Sequence, residues 1–325
     1  AEEADIKPWE TVLDLCAAPG GKTTQAAQKA KFLLSNEIMK DRARILGSNV
    51  ERMGLSNVTV CSSESGKLSE IFTEYFDKII VDAPCSGEGM MRRDDTAVKE
   101  WSPENVKLCV KRQREILENA VKMLKPGGRL IYSTCTFEPE ENILQAERLC
   151  GDHDMLKLIE ARSLYPHEVC GEGHFCAVIE KQGGTENSGS GAEKNMSQKE
   201  IMADISARLK RGRIHVLREG VLKGEFITGK HKGDVRYVPS HAEILARSKE
   251  ELLKDSVNLK NEETALKYLR GESIRLSELN EDDYELSPTE NGSFIAVCYD
   301  GYAMGLGKYV GGVIKNHYPK GLRQV

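Results

Sequence analysis

The sequence predicts an α/β protein, with an open doubly wound parallel sheet in its first half and a smaller α+β region after it. Three observations carry this reading. Short apolar runs alternate with amphipathic stretches up to about residue 150, small-residue turns follow several of those runs, and a polar stretch then introduces a segment with a different rhythm. A chain of 325 residues also exceeds what one ordinary core encloses, which implies two domains.

Strands are expected at Thr11–Cys16, Lys31–Glu37, Asn57–Cys61, Asp77–Asp82 and Gly128–Thr134. Between them the helical patterns are Thr23–Lys29, Asp41–Met53, a weaker one at Ser65–Tyr75, and the long Pro103–Leu124. This last places Val106, Val110, Ile116, Leu117, Val121 and Leu124 near one face. It ends at Lys125-Pro126-Gly127-Gly128, which stops a helix and feeds the next strand. A further helix follows Pro139, its start marked by Glu140, Glu141 and Asn142, of which the two acids suit a positive helix end. Short strands near Met155–Ile159 and His174–Glu180 complete the sheet. Gln182–Gln198 is rich in Gly, Ser, Asn and charge and has no apolar period, so it reads as a linker. Beyond it come an amphipathic helix at Glu200–Leu209 and short apolar segments at Ile214–Leu217, Ser293–Tyr299 and Lys308–Ile314. The domain reading is therefore 1–181, a linker at 182–199, and 200–325.

Composition narrows the function classes. The longest apolar runs are strand-sized, as at Lys78-Ile79-Ile80-Val81, so no membrane span is expected. Nine cysteines without a C-x-x-C pair disfavour both a disulfide framework and a zinc ribbon, and fit a reducing cytoplasm. The chain opens at Ala1 on a polar, acidic stretch with no basic-then-apolar leader, so export is not expected, and it lacks an initiator Met, which leads us to expect a missing upstream segment. Net charge is −5, yet Arg208–Arg236 holds nine Lys or Arg against three acids, and Gly301–Val325 holds four and no acid. Such blocks offer docking surface to a polyanion, and a solvated helix face with a basic tail explains them equally well.

The sharpest motif is Leu13-Asp14-Leu15-Cys16-Ala17-Ala18-Pro19-Gly20-Gly21-Lys22-Thr23-Thr24, a strand running through a glycine turn into a helix. Small residues let the backbone approach a ligand, and free N–H groups at a helix start favour an anion or carboxylate. A phosphate-binding P-loop would need Gly where Cys16 stands, and the dinucleotide G-x-G-x-x-G pattern is absent. Glu37, Glu64 and Asp82 follow the second, third and fourth strands, on the crevice side of an open sheet, where an adenosine-containing cofactor binds. Two cysteines, Cys85 in Asp82-Ala83-Pro84-Cys85-Ser86-Gly87 and Cys135 in Tyr132-Ser133-Thr134-Cys135-Thr136, lie just beyond strands at the same rim. There a thiolate can be activated. Four others, Cys61, Cys109, Cys150 and Cys298, read as core filler.

From Asp14 to about Leu149 the chain closely resembles the Sun/nucleolar-protein family of S-adenosylmethionine-dependent RNA cytosine-C5 methyltransferases. The phrases DLCAAPGGKTT, VDAPCSGEGMMR, WSPENVKLCVKRQREIL, LKPGGRLIYSTCTFEPEEN and YPHEVCGEGHF are most similar to its bacterial RsmF-like branch, which modifies ribosomal RNA. The tail Leu306-Gly307-Lys308 with Lys315-Asn316-His317-Tyr318-Pro319-Lys320-Gly321-Leu322-Arg323 is also similar to that branch, whose C-terminal portion is PUA-like and binds RNA. The resemblance implies a Rossmann-like methyltransferase domain, a smaller C-terminal α+β PUA-like domain, S-adenosylmethionine as cofactor and RNA as partner, ribosomal before transfer RNA. It also implies a monomer, with no metal and no membrane partner. Cys16, Ala17, Ala18, Pro19, Gly20, Gly21 and Lys22 would line the methionine part of the cofactor, Glu37 would hold the ribose, and Glu64 would lie near the adenine. Asp82 would lie between cofactor and base. Cys135 matches the nucleophile and Cys85 the second cysteine, which assists product release. Members carry an N-terminal region that helps bind RNA, whereas here 10 residues precede Thr11, so a fragment or reduced RNA contact is expected.

Other readings stay open at this point. DNA cytosine-C5 methyltransferases use the cysteine of a Pro-Cys pair, which would exchange the two roles. Amine methylation would want Asn/Asp-Pro-Pro-aromatic at the fourth strand, where Asp82-Ala83-Pro84-Cys85 stands. A non-catalytic RNA-binding assembly factor would have little use for both cysteines. Arg92 and Arg93 would meet phosphate or pair with Asp94 and Asp95. His167, Cys170, His174 and Cys176 do not have the usual spacing of zinc ligands.

Overall fold

A computed structural model describes residues 2–169, 171–183, 196–223, 225–228 and 235–323. The chain divides into two compact units, one within Ala1–Asn49 and Asn57–Glu219, the other within Val50–Ser56 and Gly220–Val325.

The first unit is built on eight strands: β1 (Thr11–Asp14), β2 (Phe32–Asn36), β3 (Val58–Ser62), β4 (Phe76–Asp82), β5 (Leu124–Thr134), β6 (Leu156–Leu164), β7 (His174–Lys181) and β8 (His215–Glu219). They lie in the order β6-β7-β5-β4-β1-β2-β3-β8. β1 to β5 are parallel, while β7 runs against β5, β6 against β7 and β8 against β3. Every residue of β1 and β2 is buried, as expected of parallel strands covered on both faces. Strand order reverses between β1 and β4, and a ligand crevice opens at the carboxyl ends beside such a reversal.

The helices of this unit are α1 (Gly21–Ala27), α2 (Lys40–Arg52), α3 (Ser65–Ile71), α4 (Asp95–Glu100), α5 (Pro103–Met123), α6 (Ile143–Asp152) and α7 (Gln198–Arg211). α5 shows the logic of the rest. Ser102 Oγ accepts the Asn105 N–H at 3.1 Å and Pro103 opens the first turn. Its buried stripe, including Val106, Cys109, Gln113, Leu117 and Ala120, recurs at helical spacing. Leu117 and Ala120 join Leu13, Leu34, Ile79, Val81, Leu130 and Tyr132 in one core.

Several boundaries differ from the sequence reading. β1 stops at Asp14 because residues 15–20 turn toward α1. β6 continues to Leu164, since its register with β7 runs as far as Leu164 against His174. α4 had no apolar period to announce it, and rests on Asp94, whose carboxylate accepts the Thr96 N–H.

The second region begins at Gly220 and not at 200. α7 buries Ile201, Ile205 and Leu209 in the first core. Tyr75 donates to Asp204 at 2.8 Å, and Arg208 donates to the Ile71 carbonyl at 3.2 Å. β8 then adds an edge strand beside β3. Of the expected linker, residues 184–195 lie outside the described residues.

The second unit carries a two-stranded ladder of β9 (Glu225–Thr228) and β10 (Val235–Val238), and a six-stranded sheet. Its strands are β11 (Ser256–Leu259), β12 (Ile274–Arg275), β13 (Tyr284–Leu286), β14 (Phe294–Tyr299), β15 (Tyr302–Val310) and β16 (Val313–Asn316), in the order β12-β16-β15-β14-β11-β13. The expected segment Lys308–Ile314 is a hairpin corner: β15 ends at Val310, Gly311-Gly312 turns the chain, and β16 begins at Val313. Helices α8 (His241–Leu245), α9 (Lys249–Leu252) and α10 (Glu262–Leu269) accompany the sheet. Tyr268 of α10 anchors a core with Val257, Leu259, Ile295, Val297 and Ile314, and donates its hydroxyl to the Leu306 carbonyl at 3.0 Å.

Candidate active site

The carboxyl ends of β1, β2 and β4 bring together the loop from Cys16 to Lys22, Glu37 and Asp82. Gly20 has φ +116° and a β-carbon there would sit 2.9 Å from Leu46 Cδ1, so this turn accepts only glycine without strain. Gly20 also stands at the N-cap of α1 and offers no side-chain oxygen to its N–H groups. Two side chains strap the loop to α2: Arg42 donates to the Ala18 carbonyl at 2.8 Å and Asn49 to the Pro19 carbonyl at 2.8 Å. Glu37 is buried, takes the Met39 N–H at 3.0 Å, and lies 3.4 Å from the Arg42 guanidinium. Cys16 is half-buried, and burial raises its thiol well above the ordinary value, with Asp14 and Glu37 adding to the rise. Glu64 is exposed and precedes α3 without capping it.

Two buried groups at this rim were not singled out by sequence. Asn36 donates to the carbonyls of Leu15 and Ser63 at 3.1 and 3.0 Å and accepts the Ser63 N–H, knitting the ends of β1, β2 and β3 together. Asp14 accepts from Thr23 Oγ1 at 2.7 Å through Oδ2, whereas its Oδ1 is buried without a hydrogen-bond partner. Burial pushes this carboxyl up to about 7 against the Thr23 bond, and the charge of Asp82 adds to the rise.

Asp82 ends β4 and holds Lys22 Nζ at 2.7 Å with one oxygen, while the other accepts from Ser133 Oγ at 2.8 Å. One turn further on, Cys85 and Cys135 meet with their sulfurs 3.3 Å apart. Donation from the Cys85 thiol lowers the Cys135 thiol, and that same bond, reinforced by burial, raises Cys85. The Cys135 N–H lies 3.4 Å from the Cys85 sulfur, a weaker pull in the opposite direction. The pair thus places thiolate character on Cys135 and keeps the proton on Cys85.

What holds the two loops is a buried clasp. Glu141 is fully buried and its oxygens accept the Ser86 N–H at 3.1 and 3.3 Å; Gln113 Nε2 donates to Glu141 at 2.7 Å and to the Pro84 carbonyl at 3.0 Å. Both backbone neighbours of Cys85 are gripped in this way. Burial raises the Glu141 carboxyl, opposed by its bonds to Ser86 and Gln113. Ser86 Oγ and Thr136 Oγ1, each one residue past a cysteine, lie 2.8 Å apart, and the Gly89 N–H donates to the Cys135 carbonyl at 2.9 Å. Sequence had read Glu141 as a helix-start acid. Its only signal was its place as the second acid in Glu140-Glu141-Asn142, which says nothing about burial.

Arg92 and Arg93 are exposed and, among the described residues, form no ion pair, and Asp94 accepts the Thr96 N–H as the cap of α4. Among the described residues no group of three or more His, Cys, Asp or Glu is placed to hold a metal ion; Cys170 lies outside them. No helix among them is long and apolar enough to cross a membrane.

A family model described as 16S rRNA methyltransferase RsmB/F matches residues 4–180, more than half of the chain. The chain belongs to this family. A second model, described as the PUA domain of methyltransferase RsmF, matches residues 257–324, most of the six-stranded unit. Among curated relatives, ribosomal RNA small subunit methyltransferase F of Escherichia coli O6:H1 strain CFT073 is 39% identical over 171 residues, which cover 50% of this chain and 35% of that one. The counterpart from E. coli O139:H28 strain E24377A is 43% identical over 142 residues, covering 43% of this chain and 30% of that protein. The matched stretch is thus about a third of the length of these relatives. Solved structures similar to the chain include PH0851, at 32% identity and TM-score 0.53, covering 55% of this chain and 44% of that one. NSun6 from Pyrococcus horikoshii, solved with SFG, is 29% identical with TM-score 0.51 and covers 56% of this chain and 50% of its own.

Proposed function

We propose that the chain transfers a methyl group from S-adenosylmethionine to C5 of a cytosine in RNA, most directly small-subunit ribosomal RNA, through a covalent adduct between Cys135 and C6 of the base. The observation that carries this is the 3.3 Å approach of two sulfurs at the carboxyl rim of β4 and β5. Membership in a 16S rRNA methyltransferase family and the match to a PUA domain support the RNA substrate.

The residues present fit the cofactor. Asp14 Oδ1 is a buried acceptor without a donor, Gly20 lets the chain pass close to a ligand, and Glu37 and Glu64 offer carboxylates to hydroxyl or amino groups along the same rim. In this assignment Cys16, Ala17, Ala18, Pro19, Gly20, Gly21 and Lys22 face the methionine part, Glu37 the ribose, Glu64 the adenine, and Asp82 the gap between cofactor and base. Bound S-adenosylmethionine supplies an electrophilic methyl group.

C5 of cytosine is a weak nucleophile, and the protein's task is to change that. The Cys135 thiolate adds to C6, the displaced electron pair moves through C5 and C4 to N3, and N3 takes up a proton from water; C5 becomes the carbon of an enamine. Asp82, acceptor-only while it holds Lys22 and Ser133, accepts hydrogen bonds from N3 and N4 as that proton arrives. Once C5 carries the methyl group it gives up its proton to water, the C–H pair forms the C5–C6 double bond as the C6–S bond breaks and its pair returns to the Cys135 sulfur, and N3 releases its proton to solvent. Cys85 assists by donating its S–H to that departing sulfur, the bond the resting pair already makes. The target base must leave its stack to reach the sulfurs, which unpaired RNA makes easier.

The test is a pair of variants assayed with labelled methyl donor and small-subunit ribosomal RNA. Cys135→Ala should lower transfer at least about 10,000-fold. Cys85→Ala should leave a protein–RNA adduct visible on a denaturing gel. An adduct in Cys135→Ala instead, with none in Cys85→Ala, would reverse the two roles.

A further inference from the structure

Tyr165 and His167, from the YPHEVCGEGHF motif, have no part in the methyl-transfer chemistry, yet they stack in series with a ring two residues beyond Cys135. Phe137, two residues beyond Cys135, stacks on Tyr165 with centroids 5.6 Å apart and planes 25° apart; Tyr165 stacks on His167 at 5.6 Å and 26°. Two offset contacts in series make a column of three rings.

The root of the column is fixed. The Phe137 N–H donates to Glu88 at 3.2 Å, and a β-carbon on Gly173 would sit 2.1 Å from the Phe137 ring and 3.2 Å from Gly89 Cα. The tip is open: 76% of the His167 side chain and 37% of Tyr165 remain exposed. Glu168 lies 3.8 Å from His167, an exposed contact worth little. The outermost ring stays largely in water, so area removed from solvent does not account for its place in the column.

A rigid aromatic column with a free outer face suits a nucleobase, which stacks on it whatever its sequence. The position suits one near the target. The column starts two residues from Cys135, the two Cα atoms at most about 7.6 Å apart, and its two 5.6 Å ring spacings lead outward to the His167 face. Positive charge adjoins it: Gly89, packed against Gly173 and bonded to the Cys135 carbonyl, leads within four residues to exposed Arg92 and Arg93, which have no carboxylate partner among the described residues. We propose that Tyr165 and His167, seated on Phe137, form a stacking subsite for an unpaired base adjacent to the target cytosine. The subsite rests on the reading of the chain as an RNA cytosine methyltransferase.

The probe is a single-stranded hexaribonucleotide with one cytosine and 2-aminopurine placed directly 5′ or directly 3′ of it, titrated with the full chain. Fluorescence should be quenched at one of the two positions. The double variant Tyr165→Leu/His167→Ala should lose the quenching and bind roughly ten- to hundred-fold more weakly, with an unchanged melting midpoint. Tyr165→Phe should retain both signals, and His167→Trp should tighten binding, which a merely structural ring has no reason to do. Quenching at neither position, or affinity unaltered in the double variant, overturns the subsite. Methyl transfer to ribosomal RNA separates the two ideas: transfer without quenching removes the subsite alone, and quenching without transfer leaves base stacking on these rings but removes the methyltransferase reading and, with it, the target cytosine beside which the subsite was placed.

Discussion

At the amino ends of β4 and β5, Lys125 reaches Asp77 at 3.2 Å, Lys78 lies 3.5 Å from Glu10, and buried Lys181 donates to Glu74 and to the Leu124 and Val121 carbonyls at 2.9, 2.8 and 3.2 Å. At the carboxyl ends of the same sheet, Asp14 keeps an oxygen without a partner, two thiols face each other, and Arg92 and Arg93 stand without carboxylates among the described residues. One sheet thus has an end whose polar groups satisfy one another and an end whose polar groups are held ready for something else. Local rules of burial and pairing are broken where a ligand is to complete them.

The largest expected effect tests whether that rim costs stability. Asp14 has a folded value near 7 and an unfolded one near 3.8, so the native state holds this proton more tightly. The group's contribution is therefore fully present below about pH 4 and is lost as pH rises through about 7. Asp14→Asn should abolish that slope, and its stability advantage over the parent should widen between pH 4 and pH 8 by on the order of 4 kcal/mol, read from urea melts at each pH. A parallel pair of curves would remove the asymmetry between the two ends.

Lys181→Met tests the other end. It leaves two backbone carbonyls without their donor and should cost about 3 kcal/mol, while methyl transfer per folded molecule stays the same. Smallest is Glu141→Ala, which loosens the Cys85 loop: kcat should fall ten- to hundred-fold with KM for RNA little changed. The pH at which Cys135 becomes alkylated by iodoacetamide should rise, and Glu141→Gln, which keeps one acceptor oxygen, should recover part of both. An unshifted alkylation profile would confine Glu141 to packing.

Strand–turn–helix rhythm, the glycine turn at Gly20, and the placement of acids and cysteines just past strands could all be read from residue order, because each is a local pattern repeated at a fixed period. Pro103 marked the start of α5, whereas the corner at Gly311-Gly312 was read through as part of the continuous segment Lys308–Ile314. The fate of α7 and β8 was not legible. An amphipathic helix announces that it has a face to bury, not which core will take it, and here Ile201, Ile205 and Leu209 chose the first.

Residue order alone determined that this chain builds a parallel α/β sheet with acids and two thiols at one rim, since alternation and turn chemistry act over a few neighbouring residues. Only the tertiary structure decided that Cys85 and Cys135 touch across 50 residues, that Glu141 and Gln113 clasp the loop between them, and that Asp14 is left one donor short. Those outcomes depend on strand register and on packing at distances of a few ångströms between segments far apart in the chain, which no local periodicity encodes.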